Sequence, residues 1–270
     1  MKKALSFLTA LALSFSATAF SFSLEQKKNL PKTAQEIELD TTNLVVFRGE
    51  VNENSTSKVI RDIESSNSDE IILYIVSPGG SVISGSRLIS YLRASPKKIT
   101  CVVDIAISMA FVTLQACDER IATPSSIAMQ HVTTYGINQQ PAPNAVSFQK
   151  FLENMAVDMD NAQAKRIGVS YKEFKTRTRD DWWLFGEELT KSNVTDRTAK
   201  VTCSKRAINA VTEEVIETMF GTVKVSWSNC PMITSPVKVD FSKFYGAPKD
   251  VIAFSQKLDI RQSYISKIEQ

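Results

Sequence analysis

The stretch Ile71-Ile72-Leu73-Tyr74-Ile75-Val76-Ser77-Pro78-Gly79-Gly80-Ser81-Val82 decides the fold. Six apolar residues in a row, mostly β-branched or aromatic, have the length of a strand buried on both faces, as strands of a parallel sheet are. Ser77-Pro78-Gly79-Gly80 is turn chemistry. Beyond it Ile83, Leu88, Ile89 and Leu92 fall mostly on one side of a helix predicted over Ser81 to Leu92. Strand, glycine turn and helix make half of a βαβ unit.

The same grammar extends in both directions. Upstream, Leu44-Val45-Val46-Phe47 is a short strand stopped by Gly49, and Asn54 to Ser65 carries Val59, Ile60 and Ile63 at helical spacing. Downstream, Ile99 to Val103 reads as a strand, Ser108 to Ala116 as a short apolar helix, and Arg120 to Ala122 and Ile127 to Gln130 as two further strands. Strands alternating with helices predict an α/β domain with a mainly parallel sheet. From Asn144 to about Lys165, Phe148, Phe151, Leu152, Met155 and Met159 recur at three- and four-residue steps, which describes a long amphipathic helix suited to packing on a second subunit.

The flanks read differently. Lys2 and Lys3 precede an apolar run to Phe15 and the small-residue pattern Ala17-Thr18-Ala19, so residues 1–19 are expected to be a cleaved signal peptide and the product periplasmic or secreted. That run is shorter than the ~20 residues needed to span a bilayer. Residues 20–42 are expected to be a flexible lead-in, and 197–270 a mainly helical C-terminal extension, with helices around Ala207 to Phe220 and Val251 to Ile268. A net charge of +3 without a basic cluster gives no reason to expect a nucleic-acid partner.

Four cysteines in an exported chain allow two disulfides. Cys203 and Cys230 enclose a loop whose closure is worth about 3 kcal/mol and are expected to be paired. Cys101, inside a strand, and Cys117, at a helix end, are expected to be buried thiols. With one histidine and no CxxC, no metal site is expected.

Serine acylation needs a nucleophilic hydroxyl, a base, a group that orients the base, and N–H donors for the oxyanion. His131 is the sole histidine and follows the apolar Ile127-Ala128-Met129, at the end of a predicted strand, where open α/β sheets place their sites. Ser108 opens a helix directly after a strand, and Gly79-Gly80 opens another. Helix starts carry free N–H groups, and glycine lets a substrate backbone come close.

Together these segments resemble one family. Leu73 to Val82 is similar to the strand and glycine turn of the caseinolytic (ClpP-type) serine peptidases, Ala106-Ile107-Ser108-Met109-Ala110 to their nucleophile segment, and Pro124 to His131 to the segment with their catalytic histidine. Asp181-Trp182-Trp183-Leu184, running on to Asp196, resembles their aspartate segment. The resemblance covers residues 43–196 and implies a ClpP/crotonase-like fold, with Ser108 as nucleophile, His131 as base, Asp181 as its orienting carboxylate and the amides of Gly79 and Met109 as oxyanion hole. Asp180, next door, is the rival to Asp181. Ile107, Ala110 and Asp104 depart from the family pattern, Asp104 standing where a glycine is common.

The resulting expectation is a homo-oligomeric peptidase that hydrolyses peptides or unfolded proteins, without metal or organic cofactor and without an ATPase partner. The alternative is a non-catalytic scaffold or binding protein that keeps the fold.

Overall fold

Strand formation begins where side chains can be buried on both faces. The six-residue apolar run lies in a strand that hydrogen-bonds neighbours on either side and buries every residue from Leu73 to Ser77. The structure, a computed structural model, describes residues 36–133 and 142–246, with side chains of the long helix from 146 onward. The signal segment, residues 20–35 and the stretch Val251 to Ile268 lie outside the described residues.

In chain order the elements are β1 (Glu36–Leu39), β2 (Leu44–Arg48), α1 (Glu53–Ser65), β3 (Glu70–Ser77), α2 (Val82–Ala94), β4 (Lys98–Ile107), α3 (Met109–Leu114) and β5 (Glu119–Gln130). Next come α4 (Ala142–Ile167), α5 (Tyr171–Thr178), β6 (Trp182–Phe185), α6 (Glu188–Lys191), β7 (Arg197–Thr198) and β8 (Lys200–Cys203). The chain continues through α7 (Lys205–Asn209), β9 (Val211–Thr218), β10 (Gly221–Ser228) and β11 (Lys238–Phe244). From β2 to β5 the order is strand, helix, strand, as the sequence predicts.

The main sheet runs β2-β3-β4-β5-β6, with β7 also pairing β5. β2 to β5 are parallel to one another and β6 is antiparallel to β5. Parallel pairing puts the C-terminal ends of β2 to β5 at one edge of the sheet, the edge from which the candidate site is built. One face packs against helices: Val45, Phe47, Leu73 and Ile75 meet Val59 and Ile63 of α1, Leu88 and Leu92 of α2, and Phe111 of α3. Each such side chain, fully buried, contributes about 1.5–3 kcal/mol.

The opposite face is covered by strands. Tyr74, Val76, Val102, Ile105 and Ile121 pack against Leu39 of β1 and Val201 of β8, which form a parallel two-stranded sheet. This corrects the expectation of a flexible lead-in for residues 36–39. The polar stretch Glu36-Ile37-Glu38-Leu39 becomes a strand because its partner, Lys200 to Cys203, is supplied from 164 residues away, and Leu39 is wholly buried. No local pattern encodes such a partner.

Three further corrections follow from the coordinates. Arg120 to Ala122 and Ile127 to Gln130 belong to one strand, β5, rather than two. The segment Ala207 to Phe220, expected as helix, is helical only to Asn209 and then forms β9, because the β-branched Val211, Thr212, Val215, Ile216 and Thr218 pair antiparallel with β10. Over the described residues the extension is therefore a three-stranded sheet, β11-β10-β9, around Val223 and Val225 rather than a mainly helical unit. Lastly, Cys101 and Cys117 are bonded to each other instead of remaining thiols, because the β4–α3 turn returns the chain beside its own strand with the two Cα atoms 5.9 Å apart. Cys203 and Cys230 are paired as expected.

Candidate active site

β4 ends at Ile107 and α3 begins at Met109, leaving Ser108 alone to reverse the chain. Its backbone sits at φ 54°, ψ −119°, a conformation that L residues rarely adopt. The sharp strand-to-helix turn presents the side chain at the top of the sheet, as in a nucleophile elbow. It is pinned from below, since the Ser108 N–H donates to Met129 O on β5 at 2.8 Å.

β5 runs parallel to β4, with Ile107 opposite Met129, so the residue two beyond Met129 reaches the same edge. That residue is His131. Its Nε2 lies 2.8 Å from Ser108 Oγ, both residues being half-buried. With the proton on Nδ1, Nε2 is the acceptor and can take the hydroxyl proton. The structure thus brings together the two residues that sequence reasoning put first.

Gly79 completes the same corner. It has φ +87°, and a Cβ built on it would stand 2.5 Å from Ile107 O, 2.8 Å from Ser108 Cβ and 2.9 Å from Met109 N. Only glycine fits so close an approach of the β3–α2 turn to the serine elbow. The turn is held by Val51, whose N–H donates to Gly79 O at 2.7 Å. Met109 N opens α3, where helix geometry offers no intrahelical acceptor. The Gly79 N–H donates to Ser77 Oγ at 3.2 Å, a long neutral bond that a developing oxyanion would outcompete.

Among the described residues no carboxylate is hydrogen-bonded to the ring as the third member of a triad. β6 pairs antiparallel with β5 as Gln130↔Trp182 and Met129↔Trp183, so one step further the register sets Asp181 opposite His131. The described hydrogen bonds of His131 go to Ser108 and to Gln130, none to Asp181 or Asp180. Asp181 is exposed with φ 56°, while Asp180 points to solvent and pairs with Arg179 at 2.7 Å. The hydrogen bond from Arg179 holds the Asp180 carboxyl below its usual range.

Two supports were invisible in the sequence. Gln130 accepts the His131 N–H at Oε1 (3.2 Å) and donates from Nε2 to Gln163 of α4 (2.6 Å), both glutamines being buried. The available signal was a polar residue ending the apolar run Ile127-Ala128-Met129. Arg120, only 2 % exposed, makes a two-pronged pair with Asp196 and also donates to Gln115 Oε1, anchoring the start of β5. Asp104 is buried at an irregularity in β4, where the register shifts in the ladders to both β3 and β5. Trp182 is a packing residue, between Phe111 and Phe174 with the Arg177 guanidinium 5.0 Å above its ring, whereas Trp183 is exposed. Among the described residues, no three His, Cys, Asp or Glu side chains converge as metal ligands do.

The chain is similar to ATP-dependent Clp protease proteolytic subunit 2 of Pseudomonas aeruginosa, with 25% identity over 170 residues that cover 61% of this chain and 83% of the relative. The subunit of the same name from Prochlorococcus marinus strain MIT 9312 is 29% identical over 163 residues, covering 57% and 79%. That from Treponema denticola is 28% identical over 166 residues, covering 59% and 82%. The Clp protease family profile matches residues 31–200, from the lead-in to the start of β8, and the chain belongs to that family of serine peptidases.

Proposed function

We propose that the chain is an exported serine endopeptidase in which Ser108 is the nucleophile and His131 the general base. The observation that carries this reading is the 2.8 Å contact between Ser108 Oγ and His131 Nε2, on a serine held at positive φ. Ser108 Oγ attacks the scissile carbonyl carbon while its proton passes to Nε2. The oxyanion that forms is received by the amides of Gly79 and Met109. His131 then delivers the proton to the leaving amine, and water, activated by the same ring, hydrolyses the acyl-enzyme. Asp181, opposite His131 in the strand register, is the group assigned to orient the imidazole on Nδ1.

The remaining parts of the reading rest on sequence. Removal of residues 1–19 delivers the mature chain to the periplasm or the exterior, where no ATP is supplied. The enzyme therefore acts on peptides or unfolded segments without an ATPase partner, unlike the ATP-dependent proteins to which it is similar. The exposed Val146, Phe148, Phe151 and Val157 along α4 support self-association through that helix.

A fluorophosphonate probe tests the core claim. The mature protein is expected to be labelled once, and Ser108→Ala to abolish labelling with an unchanged circular dichroism spectrum. The competing reading is a non-catalytic scaffold, favoured by the fact that, among the described residues, no carboxylate is hydrogen-bonded to the His131 ring. Failure of the wild-type protein to label or to cleave a denatured protein would establish that reading instead.

A further inference from the structure

The link that carries Asp181 is short. α5 ends at Thr178 and β6 begins at Trp182, leaving Arg179, Asp180 and Asp181 between them. Arg179 and Asp180 lie in solvent and pair with each other, so they brace nothing else. Asp181 stands at φ 56°, outside the strand conformation, and the pleat of β6 therefore does not aim it. Its place is set by what holds the two ends of the link.

The upstream end is fixed to the body of the domain. Thr178 is buried and its Oγ1–H donates to Phe174 O at 3.1 Å, while Lys175 pairs at 3.1 Å with the buried Asp160 of α4. At the downstream end Trp182 lies opposite Gln130 in the ladder with β5. Its indole also reaches back across the link. The Phe174 ring meets it edge-on at 6.4 Å between centroids, and the Arg177 guanidinium stands 5.0 Å above it. One side chain thus clasps α5 to β6, with Asp181 at the mouth of the clasp.

A third contact faces the serine. Phe111, three residues after Ser108 on α3, lies 6.0 Å from the indole, and both Phe111 and Phe174 are wholly buried. Trp182 therefore spans from the helix that Ser108 opens to the helix that leads into Asp181. Rings in such tilted and edge-on contacts fix an angle as well as a distance, and the cation adds a preference for the indole face. Angle and distance matter here, because a misplacement of about 1 Å at a catalytic group can cost about 100-fold in rate.

We propose that Trp182 is a positioning residue: clasped by Phe174 and Arg177 and braced on Phe111, it sets where Asp181 stands relative to the Ser108–His131 pair, an inference that rests on the reading of Asp181 as the carboxylate behind His131. Acting through Asp181, it has nothing left to position once that carboxylate is gone.

A double-mutant cycle tests this. For Trp182→Leu and Asp181→Asn, alone and combined, kcat on a denatured, quenched-fluorescent protein is measured per active site, with sites counted by exhaustive fluorophosphonate labelling. Trp182→Leu is expected to lower kcat about 100-fold with KM little changed, yet less than about threefold when Asp181→Asn is already present. Trp182→Phe, which keeps a ring between Phe111 and Phe174, should hold kcat within about fivefold of wild type. Arg177→Gln removes the cation over the indole and an exposed pair with Glu173, and should lower kcat about fivefold, again without effect beside Asp181→Asn. That variant keeps the test decisive if Trp182→Leu does not fold. Equal losses from Trp182→Leu or Arg177→Gln with and without Asp181→Asn would show a general packing role and overturn the proposal. So would wild-type kcat in both variants beside a crippled Asp181→Asn. A mild Asp181→Asn would instead remove the reading of that carboxylate and the proposal with it, and a wild-type protein that takes up no fluorophosphonate would remove the serine mechanism itself.

Discussion

Gln130 of β5 donates from Nε2 to Gln163 Oε1 of α4 at 2.6 Å while its own Oε1 receives the N–H of His131. His131 is thereby tied to the long helix through two buried amides, and Gln163 is tied back by its Nε2–H to Met159 O at 3.2 Å. Replacing Gln130 by leucine removes both bonds and leaves Gln163 Oε1 buried without that donor. A buried hydrogen bond is worth about 0.5–1.5 kcal/mol. Gln130→Leu is therefore expected to lower kcat about tenfold with KM little changed. A variant that merely loosened the fold would lower the number of sites that a fluorophosphonate labels and leave kcat per labelled site in place.

The βαβ order and the Ser108–His131 pair were legible because both are written locally. A buried parallel strand must be continuously apolar, a turn that approaches a serine elbow must be glycine, and one histidine leaves one candidate base. What escaped the sequence is non-local. β1 is polar by composition and is a strand only because β8 pairs with it. β9 carries Glu213, Glu214 and Glu217, which read as solvent-facing helix until β10 is set beside them. Cys101 and Cys117 are near in sequence, yet whether they meet depends on the tightness of the turn at Ser108.

That disulfide closes the segment containing the proposed nucleophile, since Cys101 and Cys117 bracket Ser108 at a separation of 16 residues. A loop of this size is worth about 3 kcal/mol through the unfolded state. The double change Cys101→Ala and Cys117→Ala is expected to lower the free energy of urea unfolding by about that amount. Non-reducing peptide mapping of the mature protein should recover Cys101 linked to Cys117 and Cys203 linked to Cys230. Free thiols at Cys101 and Cys117 would refute the pairing.

Asp196 offers a pH-dependent test. Burial pushes its carboxyl up, but the hydrogen bonds from the Arg120 side chain and backbone, with the charges of Arg120 and Arg166, leave it below the usual range. A carboxylate lowered in the folded state stabilises the protein above its unfolded pKa of about 3.9, and that contribution is lost as pH falls through the folded value. Asp196→Asn leaves the Arg120 guanidinium buried without its counter-charge, which costs up to about 3 kcal/mol, reduced because Asp196 itself is one-third open to water. The variant should unfold at lower urea than wild type at neutral pH, and the gap should close in strong acid. A gap independent of pH would show that shape rather than charge is what Asp196 supplies.

Asp181 is proposed over Asp180 on the ground of where β6 begins. In the antiparallel ladder Gln130 faces Trp182, so Asp181 is the next residue to face His131, whereas Asp180 lies one step outside and is engaged by Arg179 in solvent. Asp181 also has φ 56°, which aspartate tolerates better than most residues, and its O accepts the Trp183 N–H at 3.2 Å. Those features hold the backbone while leaving the side chain free to rotate onto Nδ1 when substrate excludes water from the corner. If Asp181 takes that position, Asp181→Asn selects the wrong imidazole tautomer and should lower kcat by about 10³- to 10⁴-fold. Asp180→Asn loses one exposed ion pair, worth at most about 1 kcal/mol, and should change kcat less than about fivefold. The comparison is made with a denatured, quenched-fluorescent protein substrate in the absence of nucleotide. Opposite rankings would move the role to Asp180, and two mild variants would mean that His131 works on Ser108 without a carboxylate behind it.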